Sequence, residues 1–243
     1  MRIYFWNQRS LLLIAAGLSI MLCLLAVMII RINQTGIVAV NSQQPIYQGN
    51  TGQKVISISV NVDWGEEYIP GMLEELKKHD AKVTFYVTGT WAEKNPELLK
   101  KMSLEGHCIQ NHAYKHVHFS SLSDAEAQAQ IKQAEEIIEK LIGNRTEFFA
   151  PPYGEQNARL VKAAAEINYQ LIMWSVDTID WQKPSPETIV KRVCNKVHND
   201  AIILMHPTDP TLKALPELLN CLEQEGYKMV TVEEILMDSG GKS

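Results

Sequence analysis

Four of the seven histidines fall within twelve residues, His107 to His118, read as HCIQNHAYKHVH. His112 and His116 stand four apart. On one turn of helix such side chains share a face, so two imidazoles could grip one metal ion. Surface histidines on a loop would show the same spacing, since a bare His-x-x-x-His pattern is a weak signal. The other chemistry-bearing residues are Asp63, the Pro151 to Gly154 run, Asp177 to Trp181, and His206. They are far apart in sequence, so the elements between them must bring them together.

Those elements alternate. Val55 to Asp63 (VISISVNVD) alternates and is rich in Val and Ile, which predicts a strand. Further strands are expected over Lys82–Val87, His107–Asn111, Glu147–Ala150, Tyr169–Ser175, Asp200–Met205 and Lys228–Val232. Helices are expected over Glu66–His79, from Pro96 to Gly106, Ser123–Ile142, Asn157–Ile167, Pro186–Val197, Leu212–Glu225 and Glu233–Met237. Met72, Leu73 and Leu76 mark one face of the first. Pro96 suits a first helical turn, and Ser123 with Glu126 has capping-box spacing. Such alternation predicts an α/β fold with a parallel sheet of about seven strands and helices outside. The unusual residues all follow strands. In a (β/α) barrel the C-terminal strand ends converge on one mouth. An open doubly wound sheet is the alternative, but no Gly-rich phosphate loop follows the first strand.

The chain has 243 residues, 46% of them hydrophobic, and a formal net charge of -5. With no long basic run, nucleic acid is not an expected partner. Leu11 to Ile30 has no charge and no proline, and twenty helical residues span ~30 Å, the thickness of the hydrocarbon layer. Arg2 and Arg9 precede it, so residues 1–10 are expected to stay in the cytoplasm and the rest to face outside. A cleaved signal peptide is the competing reading, but Val38-Ala39-Val40 makes a poor cleavage site. Residues 31–53 read as a linker, and 54–238 as the folded domain. Of the four cysteines, Cys23 lies in the apolar segment. Cys194 and Cys221 read as small buried residues, with no disulfide framework. Cys108 falls inside a strand, four residues before His112. His118 and His79 read as surface residues.

Taken together, Lys54 to Leu236 resembles the polysaccharide deacetylases of the NodB-homology type, carbohydrate esterase family 4. The family's first motif, Thr-Phe-Asp-Asp-Gly, aligns with Asn61-Val62-Asp63-Trp64-Gly65. Its second aligns with His112 and His116. Its third, Arg-Pro-Pro-Tyr-Gly, aligns with Ala150 to Gly154. Its fourth, Asp-x-x-Asp-Trp, is Asp177 to Trp181, and its fifth, Leu-x-His, is Leu204 to His206. Two positions depart. Trp64 stands where the family has a metal-binding aspartate, and Ala150 where it has an arginine that pairs with the base.

The resemblance implies hydrolysis of N-acetyl groups on amino sugars of a cell-wall polysaccharide such as peptidoglycan. A divalent cation, zinc or cobalt, would be held by His112 and His116. Asp63 would act as general base, and His206 as general acid with its tautomer set by Asp180. The backbone N–H of Tyr153 would help hold the oxyanion. Pro151, Trp181 and Leu204 would complete the substrate pocket. Losing one anionic ligand leaves two neutral imidazoles, normally a weak site. A homologue that binds glycan without hydrolysing it is therefore the second expectation. Similarity to relatives from spore formers suggests a role in sporulation or wall remodelling.

Overall fold

The computed structural model describes residues 44–237. Eight strands form one curled parallel sheet: β1 (Val55–Val62), β2 (Thr84–Val87), β3 (Cys108–Asn111), β4 (Phe148–Phe149), β5 (Gln170–Leu171), β6 (Val176–Asp177), β7 (Ile202–Met205) and β8 (Lys228–Val230). The order is β5-β4-β3-β2-β1-β7-β6, and β8 pairs the first half of β1. This matches the expected distorted (β/α) barrel. The strand not foreseen is β6, whose two residues are too few to show a period. A short strap links the two arms of the curl. Ile46 bridges Ile172, and Gln48 pairs antiparallel with Ala201.

The helices are α1 (Ile69–Lys78), α2 (Gly89–Lys94), α3 (Pro96–Leu104), α4 (Asp124–Ile142), α5 (Ala158–Ala165), α6 (Pro186–Cys194), α7 (Asp209–Gln224) and α8 (Val232–Met237). The six-residue α2 was not foreseen. Its N-cap, Thr88, accepts from the Trp91 N–H. The Ser123–Glu126 capping box of α4 forms as its spacing predicts, and Gly143 ends the helix in the left-handed region. Apolar stripes lie inward. In α1 these are Ile69, Met72, Leu73 and Leu76, all but excluded from solvent. Each leucine so buried contributes roughly 2 kcal/mol.

Strand parity positions the site. On β1, Ile56, Ile58, Val60 and Val62 join the core formed with the helices. Ser57, Ser59 and Asn61 alternate with them and are also buried, so they face the inside of the curl. Asp63 continues that inner file just past the strand. The register carries the same parity across the sheet: Asn61 pairs with Tyr86, Tyr86 with Gln110, and Ser59 with Leu204. One step onward, Thr88, His112 and His206 inherit the inner side.

One expectation needs correction. Cys194 and Cys221 form a disulfide between the end of α6 and α7, with Cα atoms 6.5 Å apart. Sequence could not pair cysteines 27 residues apart that lack a spacing motif. Cys108 opens β3, inside a strand as its pattern predicts and at the end away from His112. Burial pushes its thiol up to about 12. The apolar segment 11–30, the preceding tail and residues 31–43 of the linker lie outside the described residues. Among the described residues no helix is long and apolar enough to cross a membrane.

His107 generates a testable consequence. It is buried, it accepts from the Val83 N–H at 3.3 Å, and burial, aided by Lys82, lowers its pKa from 6.5 to about 4. The folded state thus binds this proton less readily than the unfolded chain. Stability from this group is intact above pH 6.5 and falls as pH drops from 6.5 toward 4, by on the order of 3 kcal/mol. Urea midpoints measured across that window should decline more steeply in the wild type than in His107→Gln.

Candidate active site

Asp180 anchors one side of the mouth. Its carboxylate is fully buried and accepts three hydrogen bonds: from the His206 N–H at 2.6 Å, from His206 Nδ1–H at 2.8 Å, and from the Thr211 hydroxyl at 2.6 Å. An ionised carboxylate only accepts, so Nδ1 of His206 carries a proton and the other ring nitrogen faces outward. The Thr211 hydroxyl is itself held by Thr208, the N-cap of α7, at 2.7 Å. The loop that delivers Asp180 is strained: Ile179, a β-branched residue, sits at φ 53°. Asp177 offsets this by accepting the Ile179 N–H at 2.8 Å, and the Arg192 guanidinium braces the Thr178 carbonyl. The first aspartate of the motif thus builds the turn that aims the second.

On the opposite arm, His112 Nδ1–H donates to the Ala150 carbonyl at 2.6 Å. That bond fixes its tautomer and leaves Nε2 with a free lone pair. Burial, with the nearby His116, pushes His112 down to about 3. Burial also lowers His116, while Asp63 works the other way and His206 adds to the lowering. Two imidazoles, the Asp63 carboxylate and His206 therefore sense one another across one mouth. The His112 and His116 rings lie 5.2 Å apart between centroids. They are not on a helix, as the four-residue spacing suggested. A non-helical loop carries them, with Ala113 at φ 70°. The left-handed residue turns the chain so that the second ring folds back on the first.

Asp63 accepts a hydrogen bond from the Thr88 hydroxyl at 2.8 Å. It does not cap α1, whose N-cap is Tyr68. Thr88 was missed in sequence because only the β1–β2 register brings it opposite Asp63. At the place of the family arginine, Ala150 is buried against Tyr86, Phe148, Ile172 and Ile202. Trp64 lies parallel to His206, planes 6° apart and centroids at 6.4 Å. Gly65, at φ 85°, permits this, since a Cβ there would overlap the Pro207 carbonyl.

Tyr153, the centre of the Pro151 to Gly154 turn, also has positive φ, 59°. Its ring meets His116 edge-on at 4.4 Å and stacks on His118 at 3.8 Å. His118 Nδ1–H donates to Glu155 at 2.5 Å. Burial works to raise Glu155, but hydrogen bonds from His118 and Ser120 hold it below the usual carboxylate range. His118 lies on the surface as expected, and there it also supports the Tyr153 turn, which nothing in its spacing signalled. Trp181 and Tyr153 are each 56% exposed at the mouth, while Leu204 is buried at its base.

The donor set suits a divalent cation only in part. Two neutral imidazoles are available, but the third place holds an indole, which cannot ligate. Among the described residues no cluster of three His, Cys, Asp or Glu side chains is placed to hold a metal.

Residues 48–172 match the family model described as polysaccharide deacetylase. An uncharacterized protein of Bacillus subtilis is 42% identical over 79% of this chain and 60% of its own length. A peptidoglycan-N-acetylglucosamine deacetylase of Bacillus cereus is 35% identical over 71% of this chain and 65% of its own. The chain thus spans somewhat under two thirds of these two relatives. Among solved structures, a CE4-family pseudoenzyme from Bacillus anthracis superposes with TM-score 0.77 at 39% identity, covering 80% of this chain and 69% of that one. A mutant of the same pseudoenzyme, described as having restored enzymatic activity, matches with TM-score 0.77 at 37% identity, covering 80% and 71%.

The buried Asp180 predicts its own test. Asp180→Ala would strip three donors of their acceptor, at a cost on the order of 3 kcal/mol. The melting temperature should fall by several degrees, and Thr211→Val should lower it less.

Proposed function

Because the chain belongs to the polysaccharide deacetylase family, we propose that it hydrolyses N-acetyl groups on amino sugars of cell-wall glycan, with peptidoglycan as substrate. The observation that carries this reading is the complete acid side, His206 held by Asp180 and Thr211, standing across one mouth from Asp63 and the histidine pair. An amide carbonyl is a poor electrophile and water a poor nucleophile. Asp63 takes the proton of the attacking water. The backbone N–H of Tyr153 receives the developing oxyanion. His206, held by Asp180 through Nδ1–H and entering the step protonated at its other nitrogen as well, delivers that outer proton to the departing amine, and the proton taken by Asp63 replaces it at the end of the cycle. Pro151, Trp181 and Leu204 enclose the acetyl group. A zinc or cobalt ion would be held by Nε2 of His112 and by His116, with water completing its shell, and would supply carbonyl polarisation and a more acidic water.

A second reading is a relative that binds glycan without cleaving it. Trp64 and Ala150, at the ligand and arginine positions, motivate it, and similarity to a protein described as a pseudoenzyme fits it. For location, we propose a single-pass membrane anchor over residues 11–30, with the domain from about residue 54 to 238 outside the cell. The Cys194–Cys221 disulfide supports an oxidising compartment. A role in sporulation or wall remodelling is part of the same proposal.

The deciding assay is amine release from N-acetylglucosamine oligomers with added zinc or cobalt. The wild type should release amine, and Asp63→Asn and His206→Ala should lower the rate at least about 100-fold, the range expected for loss of a general base or acid. No release by the wild type with either metal would sink the hydrolase and leave the binder. Metal content reads the same question independently: Trp64→Asp combined with Ala150→Arg should raise bound zinc toward one per chain and increase amine release.

A further inference from the structure

Trp64 is left without a task by the hydrolytic scheme. It is 44% exposed, although its ring runs parallel to that of His206. It also forms one wall of a second concavity of about 650 Å³, lined by Tyr68, Lys183, Thr208, Asp209 and Lys213. That groove lies between the turn after β1, the loop before α6 and the start of α7. It adjoins the mouth through Trp64 itself. Its volume suits a small organic guest.

The lining identifies the guest. Glu67 and Asp209 balance Lys183 and Lys213, and Asp209 and Lys213 are paired at 2.7 Å. Nothing in the groove therefore selects an anion or a cation. An indole face is electron-rich and attracts the weakly positive C–H groups of a flat, partly apolar ring. Carboxylates, ammonium groups and a phenol accept and donate to hydroxyls. A neutral pyranose presents both surfaces. Trp64, Tyr153 and Trp181 are all exposed aromatics on loops that follow strands, so all three stand at the C-terminal end of the sheet.

We propose that the groove is a subsite for an uncharged sugar unit next to the one held in the mouth, and that Trp64 stacks on it. The side chain at the ligand position thus lengthens the glycan footprint. This rests on the reading of the mouth as a glycan site, whether or not the glycan is cleaved. It also means that one position serves either metal or sugar.

The test titrates the full-length, detergent-solubilised protein calorimetrically with N-acetylglucosamine oligomers of two to six units. Wild-type affinity should rise roughly tenfold once the oligomer is long enough to reach the groove, the gain expected of one well-placed aromatic contact. Trp64→Ala should abolish that increment while keeping the affinity for the shortest oligomers, and Trp64→Phe should retain most of it. The exposed ring can be removed without opening the core, and unchanged melting would verify that. An increment that survives in Trp64→Ala overturns the subsite, as does an equal loss for all lengths. A wild type that binds no oligomer overturns the glycan reading beneath it.

Discussion

A carboxylate sealed from water is tolerable only when every lone pair it turns inward finds a donor. Asp180 meets that demand with the backbone and ring of His206 and with Thr211. These donors come from the end of β7 and the first turn of α7, while Asp180 itself arrives on the loop after β6. One buried charge therefore ties three parts of the mouth together. The same bonds commit one nitrogen of His206 and leave the other uncommitted by Asp180. The strained Ile179 is the local cost, offset by the Asp177 turn.

The opposite arm is held less tightly. His112 is fixed through the Ala150 carbonyl, and burial keeps both imidazoles in the neutral form that ligates. Among the described residues, the hydrogen bond that restrains the Asp63 carboxylate comes from the Thr88 hydroxyl. A hydroxyl bears no formal charge, so it orients this carboxylate without the ion pair an arginine would add. The mouth thus has one arm, at Asp180 and His206, that is over-determined by hydrogen bonds, and an opposite arm of two imidazoles with an aromatic ring at the neighbouring position. That asymmetry is what makes both hydrolysis and retention of glycan physically meaningful uses of one cleft.

Trp64 belongs to both accounts. Its backbone occupies the turn that Gly65 allows against Pro207, and its ring lies parallel to that of His206 while opening onto the neighbouring groove. A carboxylate at this position would point charge into the mouth. An indole instead adds a third exposed aromatic ring to the end of the sheet that carries Tyr153 and Trp181.

The alternation of strands and helices, the capping box of α4 and the placing of every motif after a strand were legible in the chain, because they follow from local period and turn chemistry. The inner file from Ser57 to Asp63 was also implicit, since a strand alternates by two. Other features depend on neighbours remote in sequence. The partnership of Thr88 with Asp63 needs the β1–β2 register. The disulfide needs α6 packed beside α7, and the support of Tyr153 by His118 needs two loops to meet. Even His112 and His116, the plainest pattern in the sequence, come together through a left-handed turn at Ala113 rather than a helix. Spacing along a chain fixes which residues can share a face; only closure of the sheet decides which faces share a cleft.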